Sequence, residues 1–160
     1  MAVSAVMLWR IAKHTIQYGA TDLSGGGAKL TGGRWNSTGV PALYASTTIA
    51  LATLETLAHL GDNIAIRNAF LVQLAVPSAV WKKREIVLAS ELDPTWLAEP
   101  YGSASVEFGD DWLSADMAAM LMVPSVIVPE EYNVLINPRH PDVKRVGAKV
   151  SRQFVYDPRL

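Results

Sequence analysis

The sequence predicts an α+β domain, and three observations lead there. Half of the 160 residues are apolar and only 18% are charged, which suits a well-packed core and not a disordered chain. Short apolar runs of strand character are scattered along the sequence, the clearest being the alternating segment Asn68 to Val76. Among them lie one long helical pattern and several short ones, without the regular alternation of a βαβ sheet.

The first element is a short strand at Leu8–Ile11. Residues 1–6 are expected to be a loose extension of a single domain covering 7–160. Gly19 to Gly33 is polar and glycine-dense, and a loop that long inside a compact domain is usually functional or mobile. A second short strand, Ala42–Ala45, is followed by Ser46 or Thr47 as the cap of a helix that runs to Leu60 and stops at Gly61. Ile49, Leu51, Leu54, Leu57, Ala58 and Leu60 cover most of its circumference, so the helix is expected to be largely buried. The strand ending at Val76 is closed by Pro77, and Pro94 to Gly109 reads as irregular. Asp111 to Met120 reads as helix. Ser125–Val128 and Asn133–Ile136 read as two strands about a turn at Pro129-Glu130-Glu131. From Pro138 onward the chain is polar and carries no clear period.

Composition removes several function classes. A formal net charge of −1 speaks against a surface given over to nucleic acid. With no cysteine, disulfides, zinc–thiolate sites and thiol nucleophiles are excluded, and a cytoplasmic setting is expected. The apolar stretch Met117 to Val128 is far shorter than the roughly 20 residues of a membrane-spanning helix and contains Pro124. The first eight residues lack the basic start of a signal peptide. His14, His59 and His140 are too far apart for a metal-ligand motif, so no metal is expected. The run Gly25–Gly27 lacks both the Lys-Ser/Thr of a P-loop and the strand context of a dinucleotide fingerprint.

The residues suited to chemistry cluster in Gly32-Gly33-Arg34-Trp35-Asn36-Ser37, Leu43-Tyr44-Ala45-Ser46, and the pair Glu55 and His59. Arg34 follows two glycines and offers a forked guanidinium to a phosphate or carboxylate, although the same motif reads equally as a tight turn. Tyr44 offers a flat ring with a polar tip, while tyrosines in strands more often serve the core. Glu55 interrupts an apolar helix, with His59 one turn further on the same face. A buried carboxylate must be paired or functional, and an ion pair with Arg34 or Arg67 is the structural alternative. Ser125, after the apolar Leu121, Met122 and Val123, reads by itself as a hydrogen-bonded serine at a strand start.

Taken in order, these segments carry a resemblance. Leu8-Trp9-Arg10-Ile11, Gly33-Arg34-Trp35-Asn36, Leu43-Tyr44-Ala45-Ser46, Leu54-Glu55-Thr56-Leu57-Ala58-His59-Leu60, Val123-Pro124-Ser125 and Asn137-Pro138-Arg139-His140-Pro141 together resemble the RES-domain family. That family is named for its arginine, glutamate and serine. The resemblance runs from about Leu8 to Asp142 and implies a fold similar to ADP-ribosyltransferase toxins, with a split mixed or antiparallel sheet and flanking helices. It further implies a toxin that breaks the nicotinamide–ribose bond of NAD, passing ADP-ribose to water, phosphate or a protein acceptor. The partner implied is an Xre-type helix-turn-helix antitoxin, through which alone DNA would be met. The implied NAD site contains Arg34, Tyr44, Glu55 and Ser125, with Arg10, Ser46 and His59 as further contacts. Lys29 departs from the arginine that often precedes the Gly-Gly-Arg motif, which puts a phosphate contact there in doubt. A non-catalytic module that only binds an antitoxin and DNA is the alternative from another class. Near-neutral charge and the Arg34–Glu55 pair weigh against it.

Overall fold

The computed structural model describes residues 4–60 and 68–160. Its centre is a seven-stranded mixed sheet in the order β4-β5-β6-β2-β1-β3-β7. The strands are β1 (Ala5–Lys13), β2 (Leu43–Ser46), β3 (Ala69–Pro77), β4 (Glu85–Ile86), β5 (Met120–Pro124), β6 (Tyr132–Ile136) and β7 (Gly147–Gln153). The helices are α1 (Gly26–Thr31), α2 (Ile49–Leu60), α3 (Ser78–Trp81) and α4 (Ser103–Ala115). All strand pairs are antiparallel except β4 with β5.

The sheet is two sheets joined at one point. β1 pairs with β3 over its whole length, from Ala5 opposite Pro77 to Lys13 opposite Ala69. β2 pairs with β6 along all four of its residues. Between β1 and β2 the only register pair is Trp9 with Ser46. Past that bridge the two halves part, alongside Arg10. This is the split sheet that the sequence leads one to expect.

Three apolar clusters fill the layers. One face of the sheet carries Leu8, Val72, Leu74, Met120, Val134 and Ile136. The other face carries two separate clusters. Trp35, Trp96, Trp112, Leu121 and Leu135 pack with α4 over the β5–β6 half. Ala69, Leu71 and Phe154 lie over the β1–β3 half, with Trp9, Ile11 and Tyr156 against them. α2 packs on β1 and β2 and so lies over the seam between the halves.

Several sequence expectations are corrected. Ala5 and Val6, expected to be loose, belong to β1 opposite Pro77 and Val76. The Gly19–Gly33 segment contains α1. The cap of α2 is Thr48, whose Oγ1 accepts from the Leu51 N–H at 3.1 Å; Ser46 is in β2, and Thr47 Oγ1 donates instead to the Tyr132 carbonyl. Only Leu51 and Ala52 of α2 are buried, whereas Leu54, Ala58 and His59 are exposed, because the helix covers the seam with one side only. Gly61 and Arg67 lie outside the described residues. Helix α4 begins at Ser103, inside the segment read as irregular, and ends at Ala115. The strand expected at Ser125–Val128 lies instead at Met120–Pro124, where the expected helix was to end. The C-terminal segment supplies β7.

Gly109 fixes how closely α4 approaches. A Cβ there would stand 1.8 Å from the Trp35 carbonyl oxygen, backbone that cannot swing aside. Gly109→Ala is therefore expected to lower the free energy of unfolding by about 1–3 kcal/mol. Urea denaturation checks this, and a variant as stable as the parent would show that α4 can withdraw from Trp35 at no cost.

Candidate functional site

The seam between the sheet halves carries a row of cross-strand neighbours. Trp9 lies opposite Ser46, Ser46 opposite Asn133, and Asn133 opposite Val123. Residues directly opposite in antiparallel strands share a face, so Ser46 and Asn133 both project beneath α2. Ser46 Oγ donates to Asn133 Oδ1 at 2.7 Å, and Asn133 Nδ2 donates to Glu55 Oε1 at 2.7 Å. The same carboxylate oxygen accepts from Ser125 Oγ at 2.6 Å.

Ser125 owes its place to the loop between β5 and β6. Its N–H donates to the Glu131 carbonyl, which closes the loop on itself. Its hydroxyl oxygen accepts from the N–H groups of Ile127 and Val128, both at 3.1 Å. With both acceptor positions of the hydroxyl in use, its single proton is directed at Glu55. The serine is completely buried, so neither bond is shared with bulk water. Glu55 is half-buried, and among the described residues its Oε2 takes no hydrogen bond. One oxygen is thus held by two donors, and the other has no hydrogen-bond partner among the described residues.

A second polar group is built around Arg34. Its Nη1 donates to the carbonyls of Trp96 at 2.9 Å and Ala98 at 2.8 Å. Its Nη2 pairs with Glu99 Oε2 at 2.7 Å, and the guanidinium lies 5.8 Å from the Tyr101 ring centre. The Glu99 side chain is 77% exposed, whereas that of Arg34 is only 16% exposed. Ion pairs with so exposed a partner contribute about 1 kcal/mol or less, so Glu99 is an exchangeable contact and the two carbonyls are not. The structural alternative of a Glu55–Arg34 ion pair is therefore not the one formed.

Tyr44 supports the turn that carries Arg34. Its hydroxyl donates to Asn36 Oδ1 at 2.5 Å and accepts from the Trp35 N–H at 3.1 Å. A Cβ on Gly33 would come within 2.8 Å of that hydroxyl, so glycine is needed there for the close approach. Burial pushes the Tyr44 phenol well above the usual tyrosine range, and it stays protonated as a donor. Asn36, also buried, spends its amide N–H groups on the carbonyls of Ala28, Ser37 and Val40. Ser37 is held in turn by Asp110 of α4, whose Oδ1 accepts from its N–H at 2.8 Å and whose Oδ2 accepts from its hydroxyl. Trp35 stacks on Trp96 with ring centres 6.3 Å apart.

Arg10 is the odd member. It follows Trp9 in β1 and so leaves the strand on the face of Leu8 and Ala12, beside the point where the halves part. Its Nε and Nη1 are buried without a hydrogen-bond partner among the described residues. Burial lowers the affinity of this guanidinium for its proton, with Asp22 opposing that effect.

Of the seven residues singled out from the sequence, Glu55, Ser125 and Ser46 are thus gathered into one hydrogen-bonded chain. Arg34 and Tyr44 form a second group about the Gly33–Asn36 turn. Arg10 stands at the parting of the sheet, and His59 is exposed near the end of α2. Asn36 belongs to the cluster quoted from the sequence but has no role assigned there, and sequence reasoning missed Asn133, Glu99 and Asp110. Of these three only Asn133 carried a signal, as the one polar residue of the strand read at Asn133–Ile136. Among the described residues no three His, Asp or Glu side chains gather as metal ligands, and no helix is long and apolar enough to cross a membrane.

Comparison with known proteins adds the following. Residues 7–157 match the sequence family described as the RES domain. The chain is 49% identical over 152 residues to the Prs ADP-ribosylating toxin of Sphingobium sp., covering 95% of this chain and 94% of that protein. It is 35% identical over 158 residues to Toxin Res of Yersinia enterocolitica, covering 97% and 99% of the two chains. To Toxin Res of Photorhabdus laumondii it is 35% identical over 156 residues, 97% of each chain.

The geometry separates the two contacts of Arg34. Arg34→Lys keeps the charge but cannot reach two carbonyls and a carboxylate from one fork, so a stability loss of about 1–3 kcal/mol is expected. Glu99→Gln should cost less than about 1 kcal/mol. Thermal or denaturant unfolding of the two variants decides it. Equal losses would mean that the exposed ion pair, not the carbonyl contacts, holds the arginine.

Proposed function

The chain belongs to the RES-domain family, and on that premise we propose that it is a toxin that takes NAD as substrate and transfers its ADP-ribose. The observation that carries this reading is the state of Glu55: Oε1 held by Ser125 and Asn133, Oε2 without a partner among the described residues. Breaking the nicotinamide–ribose bond leaves positive charge on the ribose ring, an oxocarbenium-like transition state of the kind met in glycoside cleavage. A fixed carboxylate beside that charge stabilises it without having to reorganise. The bond's electron pair departs with nicotinamide, which leaves as a neutral molecule, so no strong general acid is needed. The acceptor then bonds to the ribose carbon and gives up a proton.

Arg34 and Arg10 are the cations available to the diphosphate, Arg10 from the opposite face of β1 at the point where the halves part. Arg34 would exchange Glu99 for a phosphate oxygen, and Arg10 would gain a partner for the two buried nitrogens that have none among the described residues. Tyr44 acts by holding the turn that aims Arg34, and Ser125 and Ser46 act through Glu55. His59, exposed on α2, is at the margin of this site. For the acceptor we favour a protein side chain over water or phosphate, on the strength of the Sphingobium relative named Prs ADP-ribosylating toxin. The relatives named Toxin Res support pairing with an antitoxin, which we propose to be an Xre-type helix-turn-helix protein that brings the toxin to DNA only indirectly.

Nicotinamide release from NAD by the purified chain tests the reading. The parent should release it, and Glu55→Gln, which keeps the shape and removes the charge, should be slower by a factor on the order of 100 or more. A folded Glu55→Gln protein with near-parental turnover would remove Glu55 from the chemistry. Mass spectrometry of the products identifies the acceptor.

A further inference from the structure

Asn133 is the residue of the seam that neither the sequence nor the family resemblance singles out. It sits directly between Ser46 and Glu55, opposite Ser46 in the β2–β6 register. An amide can be placed either way round, and here Glu55 decides. Because a carboxylate only accepts, the NH2 end must face Glu55, and the Ser46 hydroxyl then donates to the Oδ1 on the other side. Trp9 is the register partner of Ser46, and this is the one pair joining the two halves of the sheet. The orientation of the carboxylate is thus tied to the seam through two hydrogen bonds.

The geometry points to Asn133 as a positioning residue for the reaction, a role that rests on the function proposed above. It sets which carboxylate oxygen of Glu55 is free, because its amide and Ser125 both load Oε1. Two donors on one oxygen stop the carboxylate from rotating about its last bond, and Oε2 stays turned away from both. Reacting groups held in a near-attack arrangement lose rate steeply when they drift, on the order of 100-fold for a displacement of about 1 Å. Ser125 cannot supply this alone, since a single hydrogen bond leaves the carboxylate plane free to turn. Asn133 itself makes no contact with substrate in this scheme.

Asn133→Asp is the decisive substitution. It is nearly isosteric and keeps an acceptor for Ser46, but it replaces the donor facing Glu55 with a second carboxylate oxygen. Steady-state nicotinamide release from NAD should show kcat at least about tenfold lower, with KM for NAD within about twofold of the parent. A folded variant with parental kcat overturns the proposal, and so does one in which KM alone rises, because that is the mark of a residue that binds substrate. If Asn133→Asp does not fold, as judged by circular dichroism, Ser46→Ala carries the same test: it removes the bond that anchors Oδ1, loosens the amide, and should lower kcat without moving KM. Parental kcat in Ser46→Ala then overturns the proposal. The parent chain keeps the two levels apart. A folded parent that releases no nicotinamide defeats the proposed function and this role with it, whereas an active parent with unaffected variants defeats the role of Asn133 alone.

Discussion

The structure is organised by the need to keep one carboxylate, Glu55, half-buried over a seam in the sheet. A charge taken from water needs donors in return, and each charge-assisted hydrogen bond offsets about 1.5–3 kcal/mol of that cost. Both donors to Glu55 come from far along the chain. Ser125 is 70 residues away and Asn133 is 78. They reach the helix because β5 and β6 form a hairpin whose loop turns Ser125 inward, and because β6 is registered on β2. β2 in turn is held to β1 only through Ser46 and Trp9. The seam is therefore the place where the two halves of the sheet are both joined and parted, and the polar chain lies along it.

Around that chain the apolar packing serves to hold walls at fixed distances. α4 can lie against the Trp35 backbone only because Gly109 has no side chain. Asp110, the next residue, then reaches Ser37. Tyr44 and Asn36 fix the turn between them, and Arg34 leaves that turn toward the carbonyls of Trp96 and Ala98. The arrangement leaves each cation with a loose end: Arg34 holds an exposed glutamate, and Nε and Nη1 of Arg10 have no hydrogen-bond partner among the described residues. The anionic substrate proposed above would use both.

Much of this was legible in the sequence, and the failures have physical reasons. Glu55 was conspicuous because a charge stood among apolar helix positions, and the split α+β sheet followed from the resemblance. Only the last part of α4 is legible as helix, because the buried positions of its first turns are Ser105 and Gly109, which fall at helical spacing with Trp112 and Leu113 but add no hydrophobic signal. The helix expected from Asp111 runs on to Met120, the first residue of β5, because a buried strand lacks the two-residue alternation that would separate it from a helix. α2 reads as largely buried from its apolar residues, since composition cannot show that the sheet covers one side only. The partners of the chemical groups were the least visible. Nothing local to Asn133 or Glu99 announces a hydrogen bond to a residue so distant in sequence.

The central claim is that Glu55 and the donors on its Oε1 act as a single device. A double-mutant cycle on nicotinamide release from NAD, using Glu55→Gln, Ser125→Ala and the double variant, tests it directly. If the serine works only by holding the carboxylate, the double variant will be no slower than Glu55→Gln alone. If the two losses multiply, Ser125 contributes independently of Glu55, and the account of a single anchored carboxylate is wrong.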